Sequence, residues 1–437
     1  MPVAADAVDD ASPLSRRRLQ ADEFAALMAP LGPWPAAGAA TPIAVAVSGG
    51  ADSTSLALLV RDWTAVRGLR LLALVVDHGL RASSAQEAAE TVARLQATNI
   101  PARLLRVDGL QPGPSVAVRA RMARYEILSR ACREAGAIDL LLGHHAGDQA
   151  ETVLMRTRSA SGPDGLAGMA ALVETRDVRL VRPLLSVSRD RLRAVVEASG
   201  IGWVEDPSNH DPRAMRTRLR TELRQSDAGM AHRLLDGALE HGAGRMARQQ
   251  DVASLLAIGG SLRPEGFALL PPGLLPAHAM VALIRTVGGA AYRPQSSPID
   301  ALLRRPHAMT LAGTRLMPAG RLGPGWLLLR EAASIGPDRD AVDGAIWDGR
   351  YRLDVGRSAP VSLAGVVVSA LGAGPVPLHI RSRLPAAVRA TLPVIRCGAR
   401  LLAVPHLSWS AGPEWAGVRF RFQPALPASE AAVFAPA

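Results

Sequence analysis

The stretch Ile43-Ala44-Val45-Ala46-Val47-Ser48-Gly49-Gly50-Ala51-Asp52-Ser53 decides the fold of this 437-residue chain. Its first five residues are apolar, as in a buried parallel strand, and the loop after them carries no bulky side chain. Residues 54–60 can continue as a helix. Two adjacent glycines allow positive φ and let an anion approach the backbone, and the free N–H groups of a helix start face that anion. The stretch therefore predicts a strand, an anion-binding loop and a helix.

The loop resembles the pyrophosphate loop, S-G-G-x-D-S, of the ATP-pyrophosphatases, which split ATP between its α and β phosphates. The residues that this resemblance places on the nucleotide are Ser48, Gly49, Gly50, Ala51, Asp52 and Ser53. The serine hydroxyls would add donors, and Asp52 could hold Mg²⁺ between phosphates. A G-x-x-x-x-G-K-[ST] loop is excluded because the chain contains no lysine. Taken alone, the loop could still be an ordinary strand–turn–helix junction.

The composition indicates a globular chain of two or three domains. Aromatic residues make up only 3%, so aliphatic side chains must build the cores. Apolar runs such as 71–76 are far shorter than a membrane span, and no apolar segment follows Arg16-Arg17-Arg18. We therefore expect no secretory signal, no membrane contact and a cytoplasmic location. Two widely separated cysteines, Cys132 and Cys397, argue against a disulfide framework, a zinc knuckle or an iron–sulfur cluster.

The net charge of +11 is unevenly distributed. Residues 1–221 hold 27 arginines and 24 acidic residues, whereas residues 222–437 hold 23 arginines and 15 acidic residues. A basic half can bind a polyanion through phosphate contacts. Replacement of lysine by arginine throughout a genome would leave a similar solvated surface, so the charge becomes informative only if the chemistry also requires a nucleic acid.

Strand-like and helical segments alternate between residues 43 and 182, and a further helix follows. We predict strands at 43–47, 71–76, 102–107, 140–143 and 179–181, and helices at 54–66, 84–98, 115–135, 148–158 and 189–199. This rhythm predicts an α/β fold, a doubly wound and mostly parallel sheet that binds ligands at its C-terminal strand ends. Residues 216–256 are predicted to be helical. The predicted domains are the α/β domain at 1–221, a mainly helical domain at 222–335 and a small α+β domain at 336–437.

Two segments place polar residues near the loop. Asp77 and His78 close the second strand, whose end lies beside the first loop in a doubly wound sheet, where a nucleoside would rest. Asp77 could instead cap the next helix. Arg121 and Arg124 lie about one turn apart on one helix face, where they could clamp phosphates or be two solvated charges.

The segment Gly143-His144-His145-Ala146-Gly147-Asp148-Gln149-Ala150-Glu151-Thr152 is the strongest second signal. A strand is expected to end at Gly143 and a helix to begin near Gly147, which brings His145 and Asp148 together. Histidines beside carboxylates could form a metal site, but neither H-x-x-x-H nor H-E-x-x-H is present. The place at the functional strand ends favours a site over a structural histidine pair.

Seven motifs, in this order, resemble tRNA(Ile)-lysidine synthetase. They are S-G-G-x-D-S at 48–53, D-H-x-L-R at 77–81, A-R-x-x-R-Y at 120–125, H-H-x-x-D-Q-x-E-T at 144–152, G-L-x-G-M within 161–169, R-P-L-L at 182–185 and E-D-x-S-N at 205–209. The first is shared by the whole PP-loop superfamily, and the histidine block with the later motifs singles out this family. The C-terminal half resembles it more weakly, at 310–313 and 384–407. The resemblance implies a PP-loop ATPase fold of the adenine nucleotide alpha hydrolase type.

The reaction implied by the resemblance joins free L-lysine to C2 of the wobble cytidine in tRNA(Ile) with anticodon CAU. The C2 oxygen attacks the α-phosphate of ATP, releasing pyrophosphate, and the lysine ε-amine then displaces AMP. The implied ligands are ATP, Mg²⁺ at Asp52, lysine and the tRNA, whose body the basic C-terminal half would grip. A homodimer is also considered as an arrangement of the chain.

The resemblance also assigns residues to roles. The implied catalytic residues are Asp52, Arg121, Arg124, His145 and Asp148, and Asp77 and His78 join the loop on the nucleotide. The implied substrate-binding residues are Asp148, Glu151, Arg158, Arg182 and Asn209. Asp148 and Glu151 are candidates for the lysine ammonium, and His145 for proton transfer or nucleotide contact. The two helix arginines would hold phosphate or the flipped cytidine.

Three positions depart from the family's pattern. Gly147 stands where Asp or Asn is common, Ser159 where Arg is usual, and Thr217 where Asn is usual. A carboxylate or amide at position 147 is therefore not essential in this chain, and its contacts to lysine and tRNA need not match the family in detail.

Three other functions compete with this one. A tRNA thiolase on the same sheet would need reactive cysteines, so Cys132 and Cys397 would have to converge. An amide ligase of the NAD or GMP synthetase kind would need a glutaminase region with a cysteine nucleophile. A non-catalytic ATP- or RNA-binding module is disfavoured by the presence of Asp52, His145 and Asp148.

Overall fold

A computed structural model describes residues 17–80, 83–110, 113, 115–205, 215–227, 229–295, 297–356, 363–373, 382–430 and 432–434. The chain divides into two compact units: an N-terminal unit, Met1–Ala247 with Ala431–Ala437, and a C-terminal unit, Arg248–Glu430. The domain limits expected at residues 221 and 335 stay predictions. Asn209, a predicted substrate-binding residue, lies outside the described residues.

The described elements alternate early in the chain and become strand-rich later. The helices are α1 (Ala21–Met28), α2 (Ala51–Val66), α3 (Ser84–Ala97), α4 (Val116–Ala135), α5 (Ala146–Arg158), α6 (Pro163–Leu166), α7 (Arg189–Ser199), α8 (Met215–Gln225), α9 (Met230–Gly259), α10 (Ala277–Gly288), α11 (Ser297–Arg304) and α12 (Ala386–Arg389). The first ten strands are β1 (Pro42–Val47), β2 (Arg70–Asp77), β3 (Ala102–Arg106), β4 (Asp139–Leu142), β5 (Leu172–Glu174), β6 (Arg179–Val181), β7 (Ser261–Leu262), β8 (Ala268–Leu270), β9 (Met309–Leu311) and β10 (Thr314–Pro318). The others are β11 (Trp326–Arg330), β12 (Arg339–Asp340), β13 (Ile346–Trp347), β14 (Tyr351–Asp354), β15 (Val366–Ala370), β16 (Pro393–Cys397), β17 (Arg400–Val404), β18 (Trp409–Ser410), β19 (Arg419–Phe422) and β20 (Ala432–Val433).

The N-terminal unit is built on a seven-stranded sheet in the order β20-β5-β6-β4-β1-β2-β3. The five strands from β6 to β3 are parallel, with Val45 of β1 opposite Ala73 of β2 and Leu141 of β4. Alternate residues of β1 serve two cores, since Val45 packs in one cluster and Ala44 in the other. Burial on both faces is typical of a parallel sheet covered by helices, and the predicted α/β fold is confirmed.

The structure differs from the predicted segments in two respects. The sheet gains two short antiparallel strands, β5 and β20, which were not predicted from the sequence. The predicted helix at 216–256 is broken into α8 and α9, since Asp227 Oδ1 accepts a hydrogen bond from the Gly229 N–H in a tight turn between them.

The C-terminal unit contains three antiparallel sheets. Five strands, in the order β7-β8-β11-β10-β9, pack with α10 and α11 around Leu283 and Ile299. A second five-stranded sheet, β12-β15-β16-β17-β18, and the three strands β13-β14-β19 share a core around Tyr351 and Val368. Within the described ranges, no helix combines the length and apolar content needed to cross a bilayer.

Candidate active site

The loop between β1 and α2 is held in shape by its own serines. Ser53 Oγ accepts a hydrogen bond from the Ser48 N–H and donates one to the Gly50 carbonyl, both at 3.1 Å. Gly49 has φ +87°, and a Cβ there would lie 2.6 Å from Thr91 Oγ1. A Cβ on Gly50 would approach nothing closer than Ser48 Oγ at 3.7 Å. The fold therefore requires glycine at position 49, whereas position 50 leaves room for a ligand.

The next helix, α2, begins beside the space at position 50, and no side chain caps its N-terminus. Gly50 is the N-cap residue of α2 and supplies no side-chain acceptor to the first-turn N–H groups. Donors of this kind, together with the helix dipole, attract an anion. The loop thus has the shape and the donors that a phosphate chain would need, and the nucleotide-binding role of its residues stays a prediction.

Glycine at the end of β4 brings the histidine block against this loop. A Cβ on Gly143 would lie 3.0 Å from Ser53 Cα and 3.1 Å from the Asp52 carbonyl oxygen. Since backbone atoms cannot yield at that distance, only glycine permits the approach. The chain then enters α5 at His145, its N-cap residue.

His145 lies between two carboxylates. Its Nε2 atom is 3.8 Å from Asp52 Oδ2 and 3.6 Å from Asp148 Oδ2. Its Nδ1 atom accepts a hydrogen bond from the Gly147 N–H at 3.0 Å, so the neutral ring carries its proton on Nε2. Asp148 Oδ2 accepts the His145 N–H at 3.1 Å and completes a capping box. The ring is buried, and its orientation is fixed from both sides.

The electrostatics of Asp148 favour its charged form. Burial raises the pKa of Asp148, but His145, His144, the His145 N–H and Arg216 together lower it below its usual value. His144, in contrast, has its pKa lowered to about 3 by burial and by Arg182. The block therefore holds the charged carboxylate of Asp148 beside the neutral imidazole of His144.

One carboxylate oxygen of Asp52 accepts no hydrogen bond within the described residues and lies beside a guanidinium group. Its Oδ1 atom is buried and has no hydrogen-bond partner among the described residues, and Arg189 Nε lies 3.6 Å away. No group of three or more metal-ligating side chains exists within the described part of the chain. Mg²⁺ usually needs only one or two carboxylates together with substrate phosphates, so this donor set fits the ion.

A cluster of arginines lies near His144. Arg121 and Arg124 of α4 stand over the Tyr125 ring, with guanidinium carbons 5.1 and 5.6 Å from its centroid. Burial raises the pKa of Tyr125, but Arg121, Arg182 and Arg124 outweigh it and the net shift is downward. Burial also lowers the pKa of Arg124 and of Arg182. In the described ranges none of these three arginines has a carboxylate partner, which suits an anionic ligand.

Two predicted residues are engaged in contacts within the protein. Asp77 Oδ1 accepts hydrogen bonds from the Gly79 N–H at 2.9 Å and from Ser84 Oγ at 2.7 Å, and neither donor is a backbone N–H of the first turn of α3. Glu151 is 3% exposed, with Oε1 2.7 Å from Arg220 Nε. Its Oε2 is buried without a partner among the described residues.

Two other predicted residues have distinct surroundings. Arg158 is half exposed and forms an ion pair with Glu222 of α8 at 2.5 Å. His78 has its pKa lowered by burial and by Arg124, so it borders the arginine cluster. The ligand roles predicted for Asp77, His78, Glu151 and Arg158 stay predictions.

Four further residues that shape this site were not predicted from the sequence. Gln149 donates to the Met169 carbonyl at 2.9 Å and accepts its N–H at 2.7 Å, and Arg156 donates to the carbonyls of Gly165 and Gly168. They fix the glycine-rich segment after α5. Arg189 faces Asp52, and Arg220 faces Glu151. Gln149 lies inside the quoted histidine block, but distant pairs such as Arg220 with Glu151 leave no local signal.

Comparison with known proteins agrees with this geometry. The family model of the PP-loop domain matches residues 21–226. The tRNA(Ile)-lysidine synthase of Mesorhizobium japonicum is 39% identical over 326 residues, covering 70% of this chain and 71% of the relative. That of Ruegeria pomeroyi is 34% identical over 382 residues, covering 83% of this chain and 88% of the relative.

A solved structure of U34-tRNA thiolase NcsA from Methanococcus maripaludis is also similar, with 18% identity and a TM-score of 0.43 over 50% of this chain and 76% of that one. The loop, the parallel sheet and the family match define a PP-loop protein, a class that uses ATP. The two relatives narrow the class further: the chain belongs to the tRNA(Ile)-lysidine synthase family.

The cysteines do not favour the thiolase alternative. Cys132 is buried in α4, and burial raises the pKa of its thiol to about 12. Cys397 belongs to the other unit. A thiol that stays protonated is a poor nucleophile.

Proposed function

We propose that this chain is a ligase that joins free L-lysine to C2 of the wobble cytidine of tRNA(Ile) with anticodon CAU. ATP is consumed to AMP and pyrophosphate through an adenylated cytidine. Membership of the synthase family supports the reaction. The observation that carries it at the level of atoms is the placement of His145 between Asp52 and Asp148, directly beside the phosphate loop.

In the proposed first step, the loop holds the β and γ phosphates while the cytidine oxygen attacks the α-phosphate. The first-turn N–H groups of α2 and the hydroxyl of Ser48 would stabilise the charge that develops on pyrophosphate. Asp52 would hold Mg²⁺, which neutralises phosphate charge when bound. The Nε2–H of His145 would donate toward a phosphate oxygen, because proton acceptance there would require a tautomer that breaks the bond from Gly147.

In the proposed second step, the ε-amine of lysine displaces AMP from the adenylated base. A bound ammonium needs a carboxylate partner, and Asp148 and the free Oε2 of Glu151 are the acidic groups beside the histidine block. The ε-amine must lose a proton to attack, and the ionised Asp148 would orient the ammonium for that loss.

The cationic residues are proposed to hold the RNA. Arg121, Arg124 and Arg182 would bind phosphate or the edge of the flipped cytidine, with Arg158 and Asn209 as further contacts. The C-terminal unit contains 20 arginines and 11 acidic residues, a balance that supports docking of the tRNA body through backbone phosphates.

The test is incorporation of radioactive lysine into an isoleucine tRNA with anticodon CAU, with and without ATP. We expect incorporation only with ATP, and none with Asp52→Ala. A methionine tRNA sharing the anticodon serves as the substrate control. Incorporation without ATP, or none under any condition with a folded enzyme, would contradict the proposal.

A further inference from the structure

Strand β20 belongs to the N-terminal unit, although the chain reaches it only after passing through the whole C-terminal unit. It extends the edge of the seven-stranded sheet, with Val433 opposite Leu172 of β5. Successive residues of a strand point to opposite faces. Val433 accordingly packs in one apolar cluster, whereas the next residue, Phe434, shares another with Ala167 and Ala170. The two neighbours therefore serve different parts of the unit.

Phe434 is enclosed by helix α9. The residue is 6% exposed, and the guanidinium carbon of Arg245 lies 4.8 Å from the centroid of its ring. Its N–H donates to Met246 Sδ at 3.3 Å. A Cβ on Gly242 would lie 2.6 Å from Phe434 Cβ. A helix interior disfavours glycine relative to alanine, so the glycine at position 242 is explained by the close approach of Phe434.

The cluster around Phe434 includes the backbone that holds an active-site arginine. The Ala170 methyl group belongs to the cluster, and the Ala170 carbonyl accepts a hydrogen bond from Nη1 of Arg182 at 2.8 Å. Nε of Arg182 is buried without a hydrogen-bond partner among the described residues. Alanine has no rotamer that could absorb a displacement, and packed interiors transmit strain. A shift of the cluster would therefore move the carbonyl and the guanidinium together.

The Arg182 guanidinium lies in the arginine cluster of the candidate active site. After burial, which raises it, Arg121 and Arg182 have the largest effects on the pKa of Tyr125, and both lower it. Burial and then Arg182 lower the pKa of His144. Charge effects of this kind require proximity, so the side chain bound to Ala170 extends to both the tyrosine and the histidine.

We propose that Phe434 is a positioning residue for the active site: by packing with Ala170, it fixes the carbonyl that orients the Arg182 guanidinium. Its effect on the reaction rests on the proposed function, in which Arg182 binds phosphate or the cytidine. The positioning itself does not depend on which ligand the arginine binds.

The test observes Tyr125 in the full chain without ligands. The chain contains three tyrosines, so incorporation of 3-fluorotyrosine gives three ¹⁹F NMR signals, and Tyr125→Phe assigns the relevant one. Spectra are recorded well below the Tm, so that each signal reports the folded protein. Arg182→Gln provides the reference for loss of the guanidinium. Thermal unfolding and the steady-state kinetics of lysine incorporation are measured on the same proteins.

Four variants separate positioning from stability. Phe434→Ala removes the ring, and Gly242→Ala keeps the ring but pushes it away from α9. Phe434→Leu retains much of the apolar contact. Val433→Ala is the matched control, because it loosens the same strand from the opposite face.

Phe434→Ala and Gly242→Ala should move the Tyr125 signal in the direction in which Arg182→Gln moves it. Phe434→Leu should move it less, and Val433→Ala should leave it in place. Phe434→Ala should lower kcat/KM for the tRNA by roughly 10- to 100-fold, the effect of misplacing a binding group by about 1 Å. Combined with Arg182→Gln it should cause no further loss, because both changes remove the same interaction.

A lower Tm of Phe434→Ala with the Tyr125 signal in place would overturn the proposal, since Phe434 would then only stabilise the strand. An equal movement of the signal in Val433→Ala would overturn it as well. If Phe434→Ala does not fold, Gly242→Ala decides by the same signal. If the wild-type enzyme incorporates no lysine, the proposed function fails, whereas the NMR comparison still decides whether Phe434 positions Arg182.

Discussion

Nε2 of His145, at the start of α5, lies 3.8 Å from Oδ2 of Asp52, in the first turn of α2. Two helices that follow neighbouring strands of the sheet thereby direct polar groups to one point. The glycine at position 143 permits this approach, since any side chain there would meet the backbone of α2. The phosphate loop and the histidine block are consequently one site, and substitutions in either should affect the same step.

The first prediction concerns Asp52. We expect Asp52→Asn to lower ATP–pyrophosphate exchange by about 100-fold or more, because the amide keeps the shape but loses the charge that Mg²⁺ binding would use. Binding of tRNA in a filter assay should be unchanged. Exchange at the wild-type rate would show that this carboxylate holds no ion needed for the first step.

The second prediction separates the two loop glycines. Gly49→Ala should reduce the free energy of unfolding by about 1–3 kcal/mol, since a side chain is strained at φ +87° and would meet Thr91. Gly50→Val should change thermal stability little but abolish ATP–pyrophosphate exchange, because its branches fill the space left for the phosphates. Normal exchange by Gly50→Val would place the nucleotide elsewhere.

The third prediction concerns the pH dependence of stability. The folded-state pKa of His144 is about 3, well below its ordinary value of 6.5, so the unfolded chain binds more protons between these values. This histidine therefore makes stability fall as pH decreases from 6.5 toward 3, with a limiting slope of about 1.4 kcal/mol per pH unit.

Replacing the histidine should remove that dependence. His144→Asn should flatten the curve of Tm against pH in this window, as measured by thermal unfolding at a series of pH values. The exposed His307→Asn is the matched control and should follow the wild-type curve. Parallel curves for His144→Asn and the wild type would mean that protonation at this position is not linked to folding.

The sequence predicted those parts of the site that short-range patterns encode. The loop at 48–53 and the block at 144–152 each combine a strand end with a helix start, so their residues had to meet at one edge of a parallel sheet. The loop's glycines could not be distinguished from sequence, because the need for Gly49 comes from Thr91, on a different helix.

Other features depend on contacts between distant segments. Glu151 was expected to bind lysine, but its pairing with Arg220, 69 residues away, follows from the packing of α8 on α5. Strands β5 and β20 pair only because the chain returns to the N-terminal unit after residue 430. No repeating pattern in the local sequence predicts either of these two pairings.

The fourth prediction concerns the charge of the C-terminal unit. If its arginines contact tRNA phosphates, replacing the exposed Arg304, Arg305 and Arg321 by Gln should make log Kd depend less steeply on log salt. The slope should fall by about 0.7–0.9 for each phosphate that is no longer neutralised. A triple variant of exposed arginines in the N-terminal unit, Arg67, Arg70 and Arg130, is the control. An unchanged slope in the first variant would make that part of the arginine excess compositional.

The last prediction concerns lysine. Asp148→Asn should raise the KM for lysine, or stop the second step, while adenylated tRNA still accumulates. Removing one charged partner should cost about 2–4 kcal/mol, roughly 30- to 1,000-fold. Glu151→Gln should act in the same direction, and it should also lower Tm because the half-buried Arg220 loses its partner.

Trapping adenylated tRNA in each variant is the measurement, with the more exposed Glu222→Gln of α8 as the control for removal of a carboxylate. If Glu151→Gln lowers Tm but leaves the KM for lysine unchanged, Glu151 serves only to hold Arg220. If both variants lose ATP–pyrophosphate exchange while the affinity for lysine is unaltered, the carboxylates of α5 act on Mg²⁺. Lysine would then have to bind through groups other than Asp148 and Glu151. We regard that outcome as less favourable, because a buried ammonium group needs an anionic partner.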